Sequence, residues 1–282
     1  AGITGTETYK ECLSVHSPVI IRGCFDPETW AYDPNLERCR IECTPSPDRP
    51  SHQISEYAHV RDVVLSISRW VEASPDDPPV ITVRIGSGTP TLENVKVEVA
   101  ACGAGCTAVG ISSVLASPYL TGVDVKGTVD EFDPLNLFIG TVLIGGTPRI
   151  EGVPGMLSPD GLDHGLVEIN APSIETAGGL FLIGSDAEIY GINIRGGPAP
   201  MLFGVIALDS TPTIEQVNID LKGFASMQLL GLLTGSCHDE DFEEMCGCNV
   251  WLSDDECITL GASWPPTGNA REFSISGNSV TL

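Results

Sequence analysis

The chain has 282 residues, 42% of them hydrophobic, and sets 38 acids against 14 bases for a formal net charge of −24. That length is ample for a buried core in one large domain or two ordinary ones. The charge excludes the basic face that nucleic acid or an anionic membrane would need, while permitting divalent cations, basic partners or a salty habitat. Aromatic residues are only 6%, against 31 Gly and 21 Pro, so many turns and slim aliphatic layers point to an all-β fold.

In chain order, Ala1–Tyr9 (AGITGTETY) is small and β-prone and precedes the first cysteine. No leader is visible at Ala1, and no apolar run nears the roughly 20 residues that span a bilayer. With disulfides expected, the reading is a mature secreted chain with no transmembrane segment, extracellular or at a cell surface. Glu56–Ser74 (EYAHVRDVVLSISRWVEAS) alone places apolar residues at helical steps, yet Val63, Leu65 and Ile67 also alternate as a strand would.

From there a phrase returns. GTPTLENVKVEV (Gly88–Val99), SPYLTGVDVKG (Ser117–Gly127), GTPRIEGV (Gly146–Val153), APSIET (Ala171–Thr176), SDAEIYGINIRGG (Ser185–Gly197) and STPTIEQVNID (Ser210–Asp220) share a small residue, often Pro, then an aliphatic, then a second aliphatic run. An aliphatic strand precedes each copy. The unit is therefore strand, tight turn, strand, variable loop. Its prolines at 90, 118, 148, 172 and 212 step by 28, 30, 24 and 40 residues. Short strands at such a period predict a parallel β-solenoid, in which stacking buries what one unit cannot bury alone. The expected core column is Leu92, Leu120, Ile150, Ile174, Ile189 and Ile214.

The ten cysteines are Cys12, Cys24, Cys39, Cys43, Cys102, Cys106, Cys237, Cys246, Cys248 and Cys257. Their even number and their clustering near the ends and in one turn read as disulfides of an oxidising compartment. No second pair stands at zinc-finger spacing. Cys102–Cys106 is the most local pairing. Gly235–Cys257 (GSCHDEDFEEMCGCNVWLSDDEC) reads as a disulfide-knotted acidic excursion, and Arg271–Leu282 alternates as a last strand. The expected organisation is an extension over 1–16, a possible inter-subunit strand; a solenoid over 17–234; and the Cys-rich excursion with the final strand over 235–282.

This pattern resembles the secreted right-handed parallel β-helix repeat proteins of the pectate-lyase-like superfamily, in which phrases such as SPTIENVTI recur. Ser17–Cys43 (SPVIIRGCFDPETWAYDPNLERCRIEC) resembles the early coil of such proteins through Gly23, Phe25, Asp26, Asp33 and Pro34. Cys24 and Cys39 stand where the family carries a second Gly and an apolar residue, and those departures imply a Cys24–Cys39 disulfide. The resemblance implies a right-handed parallel β-helix; it does not imply one activity, since the fold hosts enzymes, adhesins and structural proteins.

Enzymes of that superfamily act on acidic polysaccharides through clustered carboxylates. The nearest match is SPDGLDHG (Ser158–Gly165), whose Asp160, Asp163 and His164 could do acid–base work if they converge, but no Arg-x-Lys phrase follows. Calcium is a possible ligand at Asp239, Asp241 and Glu243, without the spacing of an EF-hand loop; no other cofactor is expected. There is no Gly-x-Ser-x-Gly, phosphate loop or dinucleotide fingerprint. His16, His52 and His59 have no evident partner in sequence. Trp30, Trp70, Trp251 and Trp264 could stack on sugars, but they are scattered, and core or cap packing is the commoner fate of a Trp. The leading expectation is a non-enzymatic, self-associating structural or adhesive protein that joins head to tail. A polysaccharide lyase or hydrolase and a calcium-dependent carbohydrate-binding protein are the alternatives.

Overall fold

A computed structural model describes residues 2–4, 8–25, 28–29, 31, 39–44, 51–68, 79–99, 107–128, 137–157, 163–164, 166–170, 176–197, 201–221, 228–238, 246–247, 257, 274–276 and 279–281. Among these residues the fold is all-β. Nearly all strands belong to three open parallel sheets, here called A, B and C. Sheet A holds nine strands from Gly2–Thr4 to Ser274–Ser276, sheet B nine from Thr8–Tyr9 to Ser279–Thr281, and sheet C eight from Ser14–Val15 to Gln228–Gly235. The chain visits A, B and C in rotation, and each circuit adds one strand to the same side of each sheet.

Register follows from the repeat. In sheet A, Ile21, Val60, Leu92, Leu120, Ile150, Ile189, Ile214 and Ile275 stand opposite one another in turn. Sheet B stacks Ile41, Leu65, Val97, Val125, Val167, Ile194, Ile219 and Val280 likewise. Leu92, Val97, Ile189 and Ile194 are fully buried, in one core shared by all three sheets. A slip of one residue would turn a whole column outward, so each circuit copies the register of the last.

The corners are copied as well. Between sheets A and B, Asp62, Asn94, Gly122, Gly191 and Gln216 adopt φ of 53–62°. Their N–H groups form a ladder: Asn94 donates to Thr121 O at 2.9 Å, Gly122 to Glu151 O at 2.9 Å and Gly191 to Glu215 O at 3.0 Å. At the corner between C and A, the prolines give no N–H, but their carbonyls accept from the next circuit. Tyr119, Arg149 and Glu188 donate to Pro90, Pro118 and Pro148, each at 2.9 Å.

The structure bears on four of these expectations. First, no rung stands between Ile150 and Ile189 in sheet A, where Ile174 is expected: the two pair directly. Leu166–Asn170 belongs to sheet B and Thr176–Ile183 to sheet C, and Ile174 itself lies outside the described residues. Second, Cys24 and Cys39 are buried thiols and not a disulfide. At φ 63°, Cys24 directs its thiol to the Asp62 carbonyl, 3.5 Å away. Burial raises the Cys39 pKa, outweighing the backbone hydrogen bonds that lower it. Third, Gly2–Thr4 and Thr8–Tyr9 already pair with Ile20–Phe25 and Cys39–Cys43 of their own chain. The β-propensity of this segment lets it form the first circuit, with one edge of each strand paired within the chain. Fourth, of the two readings open for Glu56–Ser74, the strand holds at Val63–Ile67, and it is buried at every position. Residues 69–74, with Trp70, lie outside the described set, as do Trp30, Trp251 and Trp264.

Sheet C differs from the other two because both its faces are covered. Thr107–Val114 is buried from Ala108 to Ser113, and Leu137–Ile144 from Phe138 onward. One face joins the common core. The other forms a second cluster of Ile139, Val142, Phe181, Phe203 and Ile206, with Cys237, Cys246 and Cys257 in it or against it. Cys237–Cys246 is a disulfide, Cys257 is disulfide-bonded, and Cys237 N–H donates to the Asp209 carboxylate at 2.9 Å. The Cys-rich tail thus lies on the outer face of sheet C at these residues. Strands apolar on both sides need such a cover. Cys102, Cys106 and Cys248 lie outside the described residues.

At the other end, Cys12–Cys43 ties the first circuit to the second across a separation of 31 residues. Closing a loop of that size stabilises a fold by about 3–4 kcal/mol in the chain-entropy picture. Beside it His52 is fully buried. The Leu13 N–H donates to its Nδ1 at 3.0 Å, and its Nε2–H donates to Ser66 O at 2.9 Å. Burial lowers its pKa to about 4, against smaller opposing effects of the Ser66 and Ile41 carbonyls. Asp62, only 2% exposed, accepts from Arg22 Nε at 3.2 Å, Arg61 Nε at 3.1 Å and Asn94 Nδ2 at 2.7 Å, which holds the second to fourth circuits together.

Candidate functional site on the outer face of sheet A

The residues flanking the core column of sheet A turn outward by the alternation of a strand. They form two columns. One runs His59, Thr91, Tyr119, Arg149, Glu188, Thr213; the other Arg61, Glu93, Thr121, Glu151, Tyr190, Glu215. Neighbouring rungs of such a sheet lie about 4.8 Å apart, so long side chains meet across them.

Arg149 is the centre of this face. Its guanidinium carbon lies 5.8 Å from the Tyr119 ring centroid and 5.7 Å from that of Tyr190, within cation–π range. Its Nε donates to Glu151 Oε1 at 2.6 Å, and its Nη1 stands 3.6 Å from Glu188 Oε2. The Tyr119 hydroxyl donates to the other Glu151 oxygen. That hydrogen bond, with burial added, raises the Tyr119 pKa. The same bond, reinforced by Arg149, holds the Glu151 carboxyl below its usual range. Arg149 is raised in turn by its bond to Glu151.

This is a rigid platform of two rings, a cation and a carboxylate. Glu151 is held ionised and engaged, so it is poorly placed to release a proton to a leaving group. The platform suits binding: ring faces for apolar sugar surfaces, and guanidinium and carboxylate for vicinal hydroxyls. Nearer the start of the chain the same face becomes ionic, with Arg61 Nη2 2.7 Å from Glu93 Oε1 and His59 Nε2 3.0 Å from Glu93 Oε2.

The acid–base candidates lie next to this platform along the chain. Asp163 and His164 form a two-residue strand antiparallel to Val153–Leu157. This hairpin sits between the Arg149–Glu151 strand of sheet A and the Leu166–Asn170 strand of sheet B, so it leaves the fold just after the Glu151 rung. Asp160 lies outside the described residues, as do Asp239, Asp241 and Glu243 of the calcium expectation. Among the described residues, no group of three or more His, Cys, Asp or Glu side chains could hold a metal ion. No helix of the described residues is long and apolar enough to cross a membrane.

Sequence reasoning located the core column and missed its neighbours. The signal was present: each core aliphatic is bracketed by the residues that make the face, as in Tyr119-Leu120-Thr121, Arg149-Ile150-Glu151 and Glu188-Ile189-Tyr190. Comparison with protein-family models, curated proteins and solved structures gives no match to this chain.

Proposed function

We propose that the chain is a right-handed parallel β-helix that serves as an extracellular structural or adhesive element and assembles head to tail. The rotation through three parallel sheets supports the coil, and the strong right-handed preference of parallel crossovers supports its hand. The observation that carries the assembly is the polarity of the stack: sheet A runs from Gly2–Thr4 to Ser274–Ser276, sheet B from Thr8–Tyr9 to Ser279–Thr281 and sheet C from Ser14–Val15 to Gln228–Gly235 among the described residues. Every pairing within these sheets is parallel, so one end of a copy matches the opposite end of the next, a heterologous contact that propagates. Disulfides at Cys12–Cys43 and Cys237–Cys246 suit an oxidising, extracellular setting. Electron microscopy of the unreduced protein over a concentration series tests this. Rods that lengthen with concentration are expected; single short particles at every concentration would remove the assembly.

A second reading, carbohydrate binding, is favoured by Arg149 between Tyr119 and Tyr190. With a net charge of −24, the partner on this reading is a neutral glycan chain, since a polyanion would be repelled. Arg149 is about half exposed, so Arg149→Ala should leave the melting temperature nearly unchanged while weakening retention on neutral polysaccharide in affinity electrophoresis by roughly tenfold. Equal retention of the variant would discard this reading.

A further inference from the structure

A second constellation lies at the opening strand of sheet C, away from the Arg149 platform. Ser14 and His16 both face solvent, while Val15 between them is buried in the common core. The Ser14 hydroxyl is 2.8 Å from His16 Nε2, and His16 Nδ1 is 2.9 Å from the Ser55 hydroxyl. Ser55, only 7% exposed, donates its own proton to the Val15 carbonyl at 3.3 Å.

The last contact sets the direction of the others. A hydroxyl has one proton. With the Ser55 proton on Val15 O, Ser55 accepts from His16, and the imidazole proton then sits on Nδ1. Nε2 then carries a lone pair aimed at Ser14, and the Ser14 O–H donates to it. An exposed hydroxyl, a base within hydrogen-bond reach and a buried group that orients the base are the parts of an activated nucleophile.

The backbone supplies a further element. Gln53 N–H donates to Leu13 O at 2.8 Å and Ser55 N–H to Val15 O at 3.0 Å, so Leu13 and Val15 turn their polar groups to the inner neighbour. By the alternation of a parallel strand, Ser14 turns its N–H the other way, to the edge facing away from His52–Ile54. A carbonyl oxygen held there would lie beside the Ser14 hydroxyl and could accept from that donor.

We propose that Ser14 is a catalytic nucleophile, with His16 as its base and Ser55 as a positioning residue, that takes the acyl group of neutral carboxylic esters. Ser14 Oγ forms the bond to the acyl carbon while its proton passes to His16 Nε2. The carbon–oxygen bond to the alcohol breaks, and the alkoxide leaves with that proton. Water repeats the cycle, releasing the acid and restoring Ser14. Neutral esters fit a chain that would repel anionic ones. Pairing of this edge with another copy would occupy the same N–H group, so the activity belongs to chains whose Ser14–Val15 edge is unpaired.

The test uses the whole, unreduced protein with p-nitrophenyl acetate and, separately, an alkyl fluorophosphonate, with the adduct located by peptide mapping. The expected adduct is on Ser14. Ser14→Ala should abolish it, and His16→Gln, which keeps a hydrogen-bonding group without a base, should slow it by about 10²-fold. Both positions are exposed, so both variants should keep the wild-type melting temperature. Ser55→Ala should slow acylation several-fold, and Ser55→Thr should restore it, a rescue that a purely structural hydroxyl would not give. An adduct elsewhere, no adduct, or wild-type labelling of Ser14→Ala or His16→Gln would overturn the proposal. Wild-type labelling of Ser55→Ala would remove the positioning role and its tautomer argument.

Discussion

Gly204→Ala is expected to cost about 3 kcal/mol and to lower the melting temperature by roughly 6–12 °C, through overpacking that cannot relax. Register places Gly110, Gly140, Gly179, Gly204 and Gly231 in one column across sheet C. A Cβ on Gly204 would stand 2.5 Å from Gly231 O and 2.7 Å from Ile219 Cγ2; one on Gly179 would meet Gly204 O at 2.6 Å. The first obstacle is backbone of the next circuit and the second is core, so neither can swing aside. Around this column the alternation of sheet C slips: Phe138 faces the common core and Ile139 the second cluster, yet Val142 faces the second cluster and Leu143 the common core. The glycines let the strand change phase and serve two cores. Gly86→Ala is the control, since a Cβ there meets nothing within 4 Å. Matched urea or thermal midpoints for the two variants would refute the close stacking of sheet C.

Acidification should destabilise the protein through His52, by about 3 kcal/mol between pH 6.5 and pH 4. The sign follows from the direction of the shift. The folded state holds His52 at a pKa of about 4, against 6.5 for an ordinary histidine. Between those values the unfolded chain binds a proton that the folded chain refuses, so stability falls as pH falls through the window. Above pH 6.5 the group contributes no dependence. The cause is burial first. In addition, the Leu13 N–H occupies Nδ1, so a proton there would displace that bond and leave a cation in the core. His52→Gln, which can still accept and donate without charging, should flatten the slope of stability against pH in this window. Denaturant titrations of both proteins at pH 6.5 and pH 4.5 measure it, and parallel slopes would show that His52 does not control acid stability.

Much of this architecture was legible in the sequence because its physics repeats. Pro118-Tyr-Leu-Thr-Gly and Pro148-Arg-Ile-Glu-Gly write the same corner and aliphatic twice, and the ladder obeys. Reading failed where one circuit departs from its neighbours. The Val153–Leu157 hairpin lengthens the circuit between Ile150 and Ile189, which pair directly although the repeat phrase returns in sequence between them at Ala171–Thr176. The pairing implied for Cys24 and Cys39 failed because it rested on which residues depart from a pattern, whereas a bridge depends on where each thiol points. The Tyr119–Arg149–Tyr190 face and the Ser14–His16–Ser55 relay are contacts between circuits. Ser55 is 39 residues from His16, and nothing local announces their meeting. The glycine column was open to reading, since each aliphatic strand from Thr107–Val114 onward carries a mid-strand Gly, but its meaning needs the neighbouring strand's carbonyl.

The most direct test of the stacked, parallel architecture is a distance between spin labels at Thr91 and Thr213. Both lie on the outward column of sheet A, separated by the rungs at Tyr119, Arg149 and Glu188. Four parallel spacings place their Cα atoms ~19 Å apart. A narrow distribution consistent with that separation is the predicted result. A distribution centred near ~24 Å would mean that Ala171–Thr176 forms a rung after all, and a broad or much longer one would contradict the parallel stack itself.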